Sequence, residues 1–292
     1  WYTLYQGTMS HVYSFALISA FIWYSIKWYS EGGRKAWSAL RLGLLIGLIT
    51  LIRPTNIIIV LFFLFYGITR AGSLRQRGRE IVADYRLLAL IALTAFIVWL
   101  PQMVYWREMT GHWVYFSYGS DERFFFADPA IIKGLFSWRK GLFIYTPLMV
   151  FAFAGIFVLW KRRSPYVLPV TIIVPLNIYI IFSWWCWWYG GGFGQRAFID
   201  SYALMAVATA SLLSAGIGPG KKWIRYPVMA AFLLFASLGI FYNFQYYHGA
   251  IHWDSMTREA YFDSFGRVRP SERFNQLLKE PDYERARKGF DR

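Results

Sequence analysis

The stretch Trp184-Trp185-Cys186-Trp187-Trp188-Tyr189-Gly190-Gly191-Gly192-Phe193-Gly194-Gln195-Arg196 carries the residue types of a ligand site. Glycines let a backbone approach a ligand closely and free its φ angles. Arg196 stands at the predicted start of a helix over 197–217, where unpaired N–H groups and the helix dipole favour an anion, and its guanidinium fork suits a phosphate. Trp188, Tyr189 and Gln195 flank that arginine. Plainer roles compete: the aromatics form a membrane-interface belt, and Arg196 pairs with Asp200 one turn on or with a lipid headgroup. The glycines do not read as a dinucleotide loop, because no strand precedes them.

Other candidates are single groups. Arg53 lies in Leu51-Ile52-Arg53-Pro54-Thr55-Asn56 within an apolar run, and a charge inside a membrane is a functional candidate. Its plainer role is to bond carbonyls left open by a helix break. His11 follows Ser10 at a helix start and is a candidate catalyst or a hydrogen-bonded packing residue. The acids Glu108, Asp121, Glu122 and Asp128 could supply a base or a metal ligand, or simply be solvated loop groups. Their spacing fits no ligand pattern, so a divalent metal stays open and the residues require no cofactor. With no phosphate-loop lysine motif, His-Glu-x-x-His or nucleophile-elbow serine, an ATP-driven pump is excluded. Cys186 is the single cysteine, so no intrachain disulfide forms.

The elements that must position these groups are membrane helices. Of the 292 residues, 57% are hydrophobic and 16% charged, against about a quarter charged in a soluble domain. The expected fold is all-α and polytopic, with about six full spans near 10–29, 87–106, 141–160, 166–184, 197–217 and 227–247. The run 39–69 would make one helix of about 46 Å, too long for an upright crossing. Proline at position 54 should break it into two half-helices that dip to mid-membrane and return.

Charge placement supports that hairpin. Four basic groups stand out: Lys27, Arg34, Lys35 and Arg41; Arg70, Arg75, Arg77, Arg79 and Arg86; Lys161, Arg162 and Arg163; Lys221, Lys222 and Arg225. A hairpin keeps all four on the cytoplasmic side, whereas a single kinked crossing strands the first outside. The net charge of +15 is then a topology signal, which argues against a nucleic-acid partner. A transmembrane domain 1–247 with an external loop 107–140 precedes a tail 248–292. The tail holds nine cations and eight anions, with Pro270 and Pro281 as breaks, and is predicted to be a solvated or loosely docked extracytoplasmic extension. Within the loop, 129–140 reads as an amphipathic helix lying on the membrane. The chain opens on Trp1 rather than Met, which is expected of a fragment lacking its native start.

Several motifs coincide: Met9-Ser10-His11, Leu51-Ile52-Arg53-Pro54-Thr55, Arg139-Lys140-Gly141-Leu142-Phe143-Ile144-Tyr145-Thr146-Pro147-Leu148, and the Trp-rich Gly-Gly-Phe-Gly-Gln-Arg turn. Together they resemble bacterial GT-C membrane glycosyltransferases of the protein-mannosyltransferase and aminoarabinose-transferase-like branch, over most of residues 9–217. The resemblance implies a multi-pass protein of the bacterial cytoplasmic (inner) membrane with an extracytoplasmic active face. It implies inverting transfer of a sugar from a polyprenyl-phosphate donor to a hydroxyl on a glycan, lipid or protein acceptor. The family's acidic catalytic residue would lie upstream of Trp1, leaving His11, Glu108 and Asp121 as candidates here; Arg196, Gln195, Tyr189, Trp188 and Arg53 would bind substrate. A secondary transporter of a small or lipid-linked solute and a non-catalytic membrane subunit are the competing readings.

Overall fold

The computed structural model describes all residues except 31, 120, 217–221 and 291. The helices in chain order are α1 (Ser10–Trp28), α2 (Ala36–Ile52), a 3-10 turn (Pro54–Ile59) running into α3 (Val60–Phe65), α4 (Ala71–Ala83) and α5 (Tyr85–Thr110). Then come α6 (Ile131–Phe136), α7 (Leu142–Tyr145), α8 (Met149–Lys161) and α9 (Val167–Ser183). A second 3-10 turn (Arg196–Ser201) leads into α10 (Tyr202–Gly216), followed by α11 (Lys222–Tyr247), α12 (Arg258–Ser264), a 3-10 turn (Phe274–Leu277) and α13 (Tyr283–Arg287). The fold is all-helical; the described residues contain one isolated bridge, Phe124 to Trp184, and no strand. Among the described residues three helices are long and apolar enough to cross a membrane: Tyr85–Thr110, Arg196–Ala215 and Arg225–Tyr247. The span predicted over 141–160 is instead two helices, because Pro147 follows a Thr146 whose backbone (φ −135, ψ 62) ends α7.

The chain divides into two compact units. One holds residues 7–119 and 159–176, and in it the break at Arg53-Pro54 is present. Arg53 is extended (φ −147, ψ 106), and Pro54 opens the 3-10 turn, where its missing N–H costs nothing. The far end of α3 returns to the C-terminal end of α1: Tyr29 Oη donates to the Phe63 carbonyl at 2.7 Å, and the Trp28 and Phe63 rings lie 5.5 Å apart. The tip meets the opposite end of α1, with Arg53 Nη1 3.1 Å from His11 Nδ1. The segment is therefore a hairpin with both ends on one side. Its tip reaches the first turn of α1 rather than stopping half-way, because α2 runs unbroken for 17 residues, a rise of about 25 Å.

Three basic groups gather at the end where the hairpin opens. Arg34 pairs with Asp84 at 3.0 Å and Glu80 at 3.1 Å. Arg77 donates to the Tyr66 carbonyl at 2.6 Å and lies 3.7 Å over the Tyr29 ring. The Gly67 amide bonds the Pro165 carbonyl, two residues beyond Arg163. Of the fourth group, Lys221 lies outside the described residues. Helix α5 runs beside α2 in the same direction through small residues: a Cβ on Gly43 would meet the Ile91 carbonyl at 2.5 Å, and one on Gly47 would meet Val98 at 2.6 Å. Such Gly-x-x-x-Gly faces let membrane helices approach closely.

The other unit holds residues 1–6, 120–158 and 177–292. Its core joins Tyr145, Tyr242, Ile251, Met256, Ala260, Tyr261 and Phe274. The tail is thus packed, which corrects the expectation of a solvated extension. Tyr242 and Tyr261 share a hydroxyl contact of 2.5 Å, and Gln245 Nε2 donates to the Ser264 and Arg267 carbonyls. The amphipathic segment also differs from expectation. Only Ile131–Phe136 is helical, and buried Gly134 sits against the Phe182 ring so closely that any side chain would collide. This short helix docks on α9 through Gly134 and leaves Ile132 and Phe136 exposed.

Candidate functional site

The turn after α9 is the best-defined polar centre of its unit. Tyr189 (φ 56), Gly190 (φ 50), Gly192 (φ 148) and Gly194 (φ 56) all take left-handed backbone. At Gly192 glycine is required twice over, since a Cβ would also meet Tyr2 Oη at 2.8 Å. This path aims three successive carbonyls at two cations. Lys140 Nζ donates to the Gly190 carbonyl at 2.7 Å and the Gly192 carbonyl at 2.5 Å, while Arg196 Nη1 donates to the Gly191 carbonyl at 2.5 Å. Tyr2 Oη adds a bond to the Phe193 carbonyl at 2.6 Å.

Lys140 reaches this position from the tight bend between α6 and α7. Ser137 Oγ accepts the Arg139 amide and the Ser137 carbonyl accepts the Gly141 amide, leaving no room for a side chain at 141. The lysine is 2% exposed. Burial, helped by the Arg196 guanidinium, pulls its pKa down from 10.5 to about 7; water no longer solvates the ammonium, and a second cation opposes it. Cys186 beside it is pushed up to about 11 by burial and stays a neutral thiol.

Behind the turn the tail supplies a carboxylate. Asp254, 3% exposed, accepts from Tyr283 Oη at 2.6 Å and Ser255 Oγ at 2.7 Å. Its backbone carbonyl accepts from Arg139 Nη1 at 2.6 Å. His252 Nδ1 lies 3.2 Å from Asp254 Oδ1 and 3.1 Å from the Ser255 amide. Burial holds this imidazole below its ordinary pKa, so in its neutral form Nδ1 accepts the Ser255 N–H. Tyr283 stands edge-on to Trp188 at 5.5 Å, and Arg139 lies over the same ring at 5.6 Å.

These contacts revise the roles expected of the aromatics. Trp185, Trp187 and Trp188 are core residues, so they do not form a lipid-facing belt, and both Tyr283 and Arg139 already pack on Trp188, the residue expected to stack on sugar. Tyr189 is half-buried, with its hydroxyl on the Ile181 carbonyl at 3.0 Å. Gln195 is buried; its amide reaches the Trp187 carbonyl at 3.4 Å, and Oε1 has no hydrogen-bond partner among the described residues. Arg196 begins a 3-10 turn, not an α-helix, so it presents one tight turn of N–H groups rather than a full helix end.

The remaining candidates sit elsewhere. His11 and Arg53, 42 residues apart in sequence, form a pair in the hairpin unit, and the arginine as obligate donor fixes His11 Nδ1 as the acceptor. Glu108 stands exposed on the last turn of α5, which extends to Thr110 and so removes it from the loop where it was expected. Asp121 lines a groove of about 550 Å³ with Arg123, Glu284, Arg287, Lys288 and Phe290. Among the described residues no three His, Cys, Asp or Glu side chains converge as metal ligands. Compared with known proteins, the chain matches no family model, no curated protein and no solved structure.

Proposed function

We propose that this chain is a membrane-embedded glycosyltransferase that takes a sugar from a polyprenyl-phosphate donor. The observation that carries the reading is that two basic side chains, Lys140 and Arg196, are drawn together at one glycine turn, where both donate to backbone carbonyls. Two basic groups so placed favour an anion, whose charge draws a proton onto Lys140, and the Arg196 end of the pair is open to solvent while Lys140 lies behind it. A lipid phosphate supplies that anion. As the acceptor hydroxyl attacks the anomeric carbon, the C–O bond to phosphate breaks and its electrons stay on the phosphate, where fixed donors hold the new charge. The hydroxyl's proton passes to a carboxylate of the protein.

Membrane sidedness follows from charge on this reading. The basic end of the hairpin unit faces the cytoplasm. In the other unit, α10 runs from Arg196 toward the basic start of α11, so its Arg196 end is extracytoplasmic. The shorter apolar helices α2, α8 and α9 complete a multi-pass domain with the three long ones, in a bacterial inner membrane. The test is transfer by the purified protein in nanodiscs, given polyprenyl-phosphate mannose, glucose or aminoarabinose and an envelope extract as acceptor. Label moves to an acceptor with one donor, and Arg196→Lys lowers the rate at least about tenfold by losing the bidentate fork. Transfer equal in wild type and variant removes Arg196 from the mechanism.

A further inference from the structure

Helix α4 presents three distinct faces. Toward its own unit it turns Arg77 and Glu80, which are fastened to Tyr29, Tyr66 and Arg34. At about 100° per residue, Leu74, Gly78, Ile81 and Val82 fall on one arc next to that docked face. All four are exposed, Val82 to 73%. Beyond this arc stand Arg75 and Arg79, four residues apart, lining with Gly78, Val82 and Ala83 a shallow groove of about 560 Å³. Among the described residues the acids of this region, Glu80 and Asp84, are already taken by Arg34 and Arg77. Among the described residues Arg75 and Arg79 have no ion-pair or hydrogen-bond partner, and like charges one turn apart destabilise a helix unless something neutralises them. An apolar strip bordered by two unpaired guanidiniums, at the end of the unit where two further basic groups gather, matches the boundary between acyl chains and anionic headgroups.

We propose that α4 lies in the headgroup layer of the adjoining leaflet, with Leu74, Ile81 and Val82 among the upper acyl chains and Arg75 and Arg79 binding the phosphates of anionic phospholipids. Arginine stems cover the apolar strip while the guanidiniums reach the phosphates. The inference needs only a bilayer and is independent of the transfer reaction.

The test uses full-length Val82→Cys labelled with bimane, Cys186 being buried and the unsubstituted chain serving as the labelling control. The protein is placed in nanodiscs containing brominated phosphatidylcholine or brominated phosphatidylglycerol. Both lipids should quench the probe, and at equal mole fraction phosphatidylglycerol should do so with a preference of several-fold, since each arginine at an anionic surface contributes roughly fivefold. Adding Arg75→Gln and Arg79→Gln should abolish the preference and keep the quenching. Quenching by aqueous iodide but by neither lipid would overturn the placement, as would a wild-type preference near one. A second copy or a protein partner on this face would show as protection from iodide and lipid alike, and would equally overturn it.

Discussion

Lys140 should take up a proton when a phosphate binds beside it. Its pKa near 7 means that at pH 8 roughly nine in ten molecules hold it neutral. A phosphate charge about 4 Å away, at an effective dielectric near 20, stabilises the ammonium by about 4 kcal/mol, or roughly three pKa units. The lysine then returns to near 10 and is fully charged. Cys186 beside it stays a thiol, its pKa pushed up to about 11 by burial. At pH 8 a prenyl phosphate is already dianionic and releases no proton of its own. Binding of geranyl phosphate, followed calorimetrically at pH 8 in buffers of different ionisation heat, should therefore show uptake of about 0.9 proton per ligand, falling below about 0.2 at pH 6. Lys140→Met should bind without uptake. Saturable binding at pH 8 with no proton exchange would refute the argument that Lys140 faces the anion.

The same shift affects stability without ligand. Because the folded pKa lies below the unfolded 10.5, the unfolded chain holds more protons between about pH 7 and 10.5, so stability rises with pH across that window. From pH 7 to 9 the gain is about 2 kcal/mol, visible as a rise in the unfolding midpoint that Lys140→Met lacks; equal pH profiles would show the lysine is charged in the fold. Tyr283→Phe removes the hydroxyl that serves buried Asp254 and should cost about 1.5–3 kcal/mol in denaturant titration; a change within error would make that bond negligible. Gly47→Val should separate α2 from α5 and lower the unfolding midpoint, with an unchanged midpoint contradicting the close approach. Cysteines at positions 38 and 73 should be labelled from the same side of the membrane, and opposite accessibility would undo the hairpin.

How far the sequence foretold this structure depends on the range of the interactions. Pro54 acts locally, so the break after Ile52 and the hairpin follow from the residue itself and from the placing of Arg34, Arg77 and Arg163 at one end. The height of the tip does not, because it depends on α2 packing against α5 through Gly43 and Gly47, a pairing between distant segments. Lys140 reads from sequence as a flanking cation on an amphipathic stretch, and only the fold brings it to carbonyls 50 residues away. The balanced charges of the tail imply solvation, yet Ile251, Met256, Tyr261 and Phe274 are spaced irregularly enough to hide a packed core in a loop-rich segment. The aromatic-glycine turn is visible at once as unusual; that its tryptophans are core and that its carbonyls, more than its amides, meet the cations is visible only in three dimensions.

The central claim is that Lys140 and Arg196 form a site for a prenyl-linked phosphate, and equilibrium binding of radiolabelled undecaprenyl phosphate to the protein in nanodiscs tests it most directly. Binding should saturate at one lipid per chain and be weakened at least about tenfold by Arg196→Lys, which keeps the charge and loses the fork. Linear, non-saturable partitioning that is the same for wild type and Arg196→Lys would contradict it.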